Sequence, residues 1–503
     1  DEKFLKSWLK KKISITTSTV VSFLITGAAS YAVPNSKMNN AGTNSTAWPT
    51  QEGIVVFGHG SKTYVGGAVV LGANAQAKGS GEDSGIAVGR LANANGTNAQ
   101  AMGVNARATG AKSLAIGSDS VAQSERDIAI GAEANAANSP RINNTITRGV
   151  AIGNKSIANG GVSIGDSASS QSFGVAIGYR AGADNTTFGD SYANVTIGAN
   201  TRVGDVGVKA GQGVAIGSAV GTGQGAWAKG DQSIAIGANT VAKGNSSIVI
   251  GGDDLDAVAA SSSSYEKRIF DKNGNQVGST VTVNNNLDQI FSDLTGRGKI
   301  LTAEAIIDGS KYEQYKDAEA GQGAVSLGVK SISGDIALAI GTMAEARGLN
   351  SVAIGTGAQT PQANAVAIGG GSSTNGIQGR QVKDANITLT DGSTMNLTNF
   401  AGAENIEEGD IVSFGRIGNE RQLKHIAPGE ISATSTDGIN GSQLFSVAKK
   451  LGSDISKLNT DISKFKYVSI KSNDAGNKLN DGATENNAIA IGPNASTKVE
   501  SGV

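Results

Sequence analysis

One five-residue motif recurs through this chain and ends each time in glycine: Ala68-Val69-Val70-Leu71-Gly72, Gly85-Ile86-Ala87-Val88-Gly89, Ser113-Leu114-Ala115-Ile116-Gly117 and Gly149-Val150-Ala151-Ile152-Gly153 are four copies. Further copies end at Gly131, Gly165, Gly178, Gly198, Gly217, Gly237, Gly251, Gly328, Gly341, Gly355 and Gly369, with weaker ones at Gly58 and Gly103. Seven of the intervals are 14 residues long, as from Gly103 to Gly117 to Gly131. A fixed short period means one structural unit per repeat, each too small to bury a face alone. With 71 glycines against 6 prolines and 4% aromatics in 503 residues, an ordinary globular core is excluded, and so is collagen, because no Gly-X-Y triplet occurs.

Within a copy, branched residues alternate with a small one, the two-residue period of a short strand. In Ser113-Leu114-Ala115-Ile116-Gly117 the alternation places Leu114 and Ile116 inward, Gly117 at a sharp bend, and Val121-Ala122 in a second short strand. Two strands and two bends make one coil. Coils stacked at about 4.8 Å per layer give a long, thin all-β solenoid of roughly 80 Å for the seventeen copies. Each layer offers only two or three Ile, Val or Leu, so association of chains is expected to supply the missing burial. A calcium-binding roll would need Asp at fixed offsets in its turns, and no regular Asp ladder appears.

Other chemistry is poorly provided for. There is no cysteine, and His59 and His425 are the only histidines, which removes thiolate metal sites, disulfides and the usual parts of zinc or Ser-His catalysis. Lys+Arg 42 against Asp+Glu 43 gives a net charge of −1, which does not favour nucleic acid. Gly-rich strings such as Gly221 to Gly225 lack the context of a phosphate loop. Asp253, Asp254 and Asp256 read as a turn rather than a cation site. No catalytic residue, metal ligand or cofactor is expected.

The ends carry different signals. Lys3, Lys6, Lys10, Lys11 and Lys12 precede an uncharged run from Ile13 to Ala29, a signal peptide with cleavage expected after Ala32. The quoted chain lacks an initiator Met, so it is expected to start inside its gene's reading frame. Near the other end, Leu444, Ala448, Leu451, Ile455, Leu458, Ile462 and Phe465 alternate spacings of four and three, the seam of a coiled coil. Ile and Leu in that seam lean towards two strands.

The repeats resemble the heads of trimeric autotransporter adhesins, of which the Yersinia adhesin is one. The stretch Gly418-Asn419-Glu420-Arg421-Gln422-Leu423, through Ala427-Pro428-Gly429 to Thr436-Asp437-Gly438-Ile439-Asn440-Gly441-Ser442-Gln443-Leu444, looks like that family's neck. The resemblance implies a left-handed parallel β-roll, homotrimeric, followed by a neck and a short α-helical coiled-coil stalk of three strands. It also implies export to the bacterial cell surface and an outer-membrane anchor, which nothing in this chain matches. The expected divisions are signal peptide 1–32, head repeats 33–252, an insertion 253–322, final head repeats 323–373, connector and neck 374–443, stalk 444–466 and the start of a second head-like module 467–503. Tyr467-Val468-Ser469-Ile470 and the leader are also similar to fusobacterial members that bind carcinoembryonic-antigen-related cell adhesion molecules.

Regular layers are a scaffold, so binding is expected where the period breaks and a loop leaves the roll. Those breaks hold the head's scarce aromatics: Tyr179, Phe188 and Tyr192, Trp227, and in the insertion Tyr265, Phe270 and Tyr312. Exposed rings are the usual anchors of protein interfaces. The competing roles are to plug the axis of a trimer or to cap the insertion's own small core, since Leu287, Ile290, Phe291 and Leu294 have helical spacing. The expected function is a non-catalytic adhesin whose partners are two further copies of itself and a host surface receptor or matrix protein. The alternatives are a polysaccharide-active enzyme on a β-helix, for which paired acids are missing from the repeats, and a structural spacer without ligand.

Overall fold

The structure, a computed structural model, describes residues 38–40, 54–79, 84–136, 141–142, 145–146, 148–182, 193–205, 210–219, 224–300, 317–463, 484–486, 488–491 and 495–499. It divides into two units, one of residues 1–380 with 406–421 and one of 381–405 with 422–503. In the first, every motif forms a front strand, three residues long except for the five-residue Ile248–Gly252 and Val325–Val329, and most are followed by a short back strand. Front strand Leu114–Ile116 lies parallel between Gln100–Met102 and Ile128–Ile130. Back strand Val121–Ala122 lies parallel between Arg107–Ala108 and Asn135–Ala136. Among the described residues the front strands make one 19-stranded sheet, and the back strands make sheets of eight and seven. The all-β parallel roll expected from the period is the architecture observed.

The direction of the side chains is the reverse of expectation. Ala115 is fully buried, whereas Leu114 and Ile116 are half-buried on the outer side of the front sheet. Ala108 and Ala122 of the back strands are also fully buried. Two facing walls joined by such short bends leave little room between them, so the interior is mostly alanine with serine, threonine and a few valines such as Val56, Val70 and Val249, and the larger aliphatics turn outward. The bend itself is as tight as the sequence implied. Gly117 has φ 128°, and a Cβ there would sit 2.2 Å from the carbonyl oxygen of Gly131 in the next coil. No side chain fits between layers at that spacing.

The insertion leaves the roll after Ile248–Gly252 and contains a short helix, Asp256–Ala260, an antiparallel hairpin, Ser262–Phe270 with Gln276–Asn286, and a second helix, Leu287–Thr295. The chain re-enters the roll at back strand Ala318–Ala320. Past the last motif, Val412–Ser413 pairs with Val366–Ala367, so one further front strand comes from the stretch assigned by sequence to the connector. The second unit holds another antiparallel hairpin, Ala385–Thr388 with Thr394–Leu397, and the helix Gly441–Ser463.

Candidate adhesive surfaces

Because the central residue of each front strand faces inward, most often alanine, its two neighbours face outward, nearly all of them apolar, and the parallel register aligns them from coil to coil. Leu114, Ile128 and Val150 form one file, Ile116, Ile130 and Ile152 the other. The files run with the sheet from Val55 and Phe57 to Val366 and Ile368, with Gln100 the one polar member. Many remain well exposed, Phe57 by 38%, Ile250 by 44% and Ile368 by 39%. A continuous apolar strip of this extent marks an interaction surface.

The insertion's second helix is docked, and its hairpin is not. Asn286 caps the helix by accepting from the Gln289 amide at 2.9 Å. Ile290 and Phe291 are buried, and Phe291 joins Leu255, Ala259, Ile300 and the fully buried Met343 in one cluster. Leu294, expected in the same stripe, is 52% exposed. Beyond the helix, Arg297 donates to the Met343 carbonyl and to Glu345 Oε1, each at 2.6 Å. Burial pushes the Glu345 carboxyl up, and Arg297 and Arg347 more than offset it, holding the group below its ordinary value. The helix seats on a roll corner left bare by Gly371, where a Cβ would meet Thr295 Cα at 2.5 Å. The hairpin, by contrast, is exposed along both strands. One of its faces carries Tyr265, Lys267, Ile269, Val277, Val281 and Val283.

The sequence-predicted contact residues fall into three groups. Tyr179 at 45% and Phe270 at 57% are exposed, and Tyr265 is half-buried on the hairpin. Trp227 is half-buried on the back face, its Nε1 donating to the Gly204 carbonyl at 2.6 Å, with Lys229 Nζ 3.7 Å and Arg202 5.6 Å from the ring centroid. It is held in place on its own chain rather than projecting freely. Phe188, Tyr192 and Tyr312 lie outside the described residues.

In the second unit, helix Gly441–Ser463 has no buried residue. Leu444, Leu451, Ile455, Leu458 and Ile462 are each 58–61% exposed, and Ala448 is exposed too. Phe465 lies outside the described residues. Asn440 Oδ1 accepts from the Gln443 amide at 3.2 Å to cap the helix. The Gln443 side chain reaches back to the neck, donating to the Gly429 carbonyl at 2.6 Å and accepting from its amide at 3.2 Å.

Sequence reasoning missed several residues. Arg421, in the neck-like motif but within the first unit, closes the end of the roll by donating to Ser372 Oγ, the Phe414 carbonyl and the Gly370 carbonyl at 2.5–2.6 Å. Asp127 occupies the place that Ser113 has in its copy, and it accepts from the amides of Ser124 and Gly149, both at 2.7 Å. Its burial pushes the carboxyl's pKa up against those bonds. Phe173 is 56% exposed at a corner with φ 61°, a ring the loop-based search passed over. Asp254 behaves as expected of a turn residue, accepting from the Asp256 amide at 2.8 Å.

The YadA head domain repeat (2 copies) matches residues 94–120, 108–134, 212–240, 228–253, 333–358, 346–372 and 483–498. Among solved structures, the C-terminal YadA-like domain of a Burkholderia pseudomallei protein is similar at 25% identity, over 42% of this chain and 77% of that one, with a TM-score of 0.17. No curated protein matches the chain.

Proposed function

From the premise that a chain built on YadA head repeats is a trimeric autotransporter adhesin-like protein, we propose that three copies join along their front sheets and that the assembled head attaches a bacterial surface to a host protein. The observation that carries this reading is the outward double file of aliphatics. A lone chain leaves its outer half in water. Full burial of such a side chain from water is favourable by about 1.5–3 kcal/mol, and burying the part still exposed against another copy gives roughly half of that. The seam on helix Gly441–Ser463 gives a second association surface. Association through the front sheet leaves the back sheet and the insertion hairpin for ligand. Three identical heads then add their weak contacts through effective concentration. Outer-membrane anchoring and surface display follow from the same family reading.

The ligand surface we favour is the insertion hairpin with Tyr265 and Phe270, since it is a long exposed ribbon that a minimal roll would not need. The test is capture of host surface glycoproteins and matrix proteins by the assembled chain, with and without the hairpin. Deleting the whole insertion would uncover Met343 and leave Glu345 without Arg297. Ser262 and Asn286 are paired neighbours, so a two-residue turn between them removes the ribbon alone. Loss of capture supports the hairpin, and unchanged capture moves the site to the back sheet or Tyr179. Capture of carcinoembryonic-antigen-related cell adhesion molecules would name the partner class. Turnover of polysaccharide by the same preparation would instead support an enzyme.

A further inference from the structure

The insertion has two roots in the roll, and one asparagine stands between them. On the outgoing side Asp253, 5% exposed, accepts from Asn239 Nδ2 at 2.6 Å. On the returning side Asp317 precedes back strand Ala318–Ala320, whose register pairs Ala318 with Thr240 and therefore sets Asp317 alongside Asn239. Asn239 holds a left-handed corner at φ 49°, and its Oδ1 is buried with no hydrogen-bond partner. Rotating the amide would not help, because it would turn Oδ1 against the Asp253 carboxylate. An orphaned buried acceptor costs about 1–3 kcal/mol, and the neighbour that register supplies is an acid.

The charged groups around Asp317 come from several elements. Glu319 follows it on its own strand, and Asp253 comes from the outgoing root. Lys243 and Lys229 come from the adjoining back strands, where Lys243 pairs with Glu319 at 2.6 Å and Lys229 with Asp205 at 3.3 Å. Lys330, buried in the next coil, donates its amide to the Gly252 carbonyl at 2.8 Å. The ammonium groups of Lys243 and Lys229 are thus engaged by other carboxylates.

We infer that the two roots form a proton-operated latch, in which a protonated Asp317 donates its O–H to Asn239 Oδ1 and completes a chain from Asp317 through Asn239 to Asp253. Deprotonation removes the only hydrogen in that link and sets a carboxylate against an unpartnered carbonyl oxygen, so the insertion's roots loosen. Burial first, then the charges of Glu319 and Asp253, push the Asp317 carboxyl up to about 6. A group raised in the folded state gives stability that is complete below its ordinary 3.8 and lost as pH rises through about 6. The latch is therefore closed in mildly acidic surroundings and open at neutrality.

Hydrogen exchange of the whole chain, corrected for the intrinsic rate at each pH, tests this on peptides covering 240–256 and 317–322. Protection there is expected to fall on the order of tenfold between pH 5 and pH 7.5, with a midpoint near 6. Asp317→Asn, whose amide donates to Asn239 at any pH, is expected to stay protected throughout. Asn239→Gly, which keeps the corner but removes the bridge, is expected to be unprotected at both. A flat wild-type profile, a pH-dependent Asp317→Asn, or an Asn239→Gly that retains the midpoint would each overturn the latch.

Discussion

Arg297 of the insertion and Glu345 of the roll meet at 2.6 Å, with their side chains only 14% and 16% exposed. This pair joins a protruding segment to the regular layers far more firmly than surface ion pairs do. Removing one partner of a buried pair costs about 3–5 kcal/mol when nothing replaces it. Arg347 also touches Glu345, at 2.8 Å, and reduces that loss. Arg297→Ala is expected to cost about 2 kcal/mol and to release helix Leu287–Thr295 while leaving the coils intact. Limited proteolysis should cut the insertion faster in the variant, and an unchanged cleavage rate would show that the pair does not hold it. Because the Glu345 carboxyl lies below its ordinary 4.5, this clamp is complete above that pH and weakens as pH falls through the lower folded value. The dependence is opposite in sign to that of Asp317.

Ala115 and Ile116 are adjacent, yet they should respond to substitution in opposite ways. Ala115→Ile forces a branched side chain between walls spaced for alanine and is expected to destabilise the roll by about 1–3 kcal/mol or more. Ile116→Ala leaves each coil's interior untouched and is expected to change the thermal stability of the assembly rather than the folding of a coil. Gly117→Ala is the severest of the three, with its Cβ 2.2 Å from a carbonyl oxygen. Expression and thermal unfolding of the three variants would rank them, and an Ala115→Ile as stable as the wild type would contradict walls spaced for alanine in that layer.

Period and motif made the coil legible, because a 14-residue repeat with one glycine bend has few ways to stack. What they could not give was the sign of the alternation. Leu114-Ala115-Ile116 reads as two buried aliphatics in any sheet that packs on something wide, and only the thinness of this roll inverts it. The helix Gly441–Ser463 was legible for the same reason as the coil, since the spacing of its apolar residues is regular. The insertion was harder. Its helix showed in the spacing of Leu287, Ile290 and Phe291, but its hold on the roll depends on Arg297, Met343 and Gly371, which are brought together from distant coils. Likewise Trp227 looked like a free anchor because its cation neighbours, Arg202 and Lys229, come partly from another strand.

The front file offers a direct test of assembly. Ile130 has neighbours Ile116 and Ile152 in register on the same outer face, so Ile130→Lys plants one ammonium group in the strip without entering the coil. Burying an unpaired charge is prohibitive, so the three front sheets are expected to separate around that layer. Sedimentation should show a smaller species or a weakened association, with the circular dichroism of the roll little changed. A trimer of undiminished stability would mean that the chains meet along some other face.

Helix Gly441–Ser463 gives a second, separable test. Its seam residues are more than half exposed within one chain, and most helical stability in proteins comes from packing an apolar face. The capping bond at Asn440 and the Lys450–Asp454 pair add a few tenths of a kcal/mol to about 1 kcal/mol each, too little to hold the helix alone. Leu458→Asp places a carboxylate in the middle of the seam, where association would have to bury it. The helical signal at 222 nm is expected to drop and its unfolding to become independent of concentration. The roll, with its own front face, should still associate. If helicity is undisturbed, the helix stands without partners and the seam is not an interface; if the whole assembly falls apart, the stalk rather than the front sheet is what holds the three chains together.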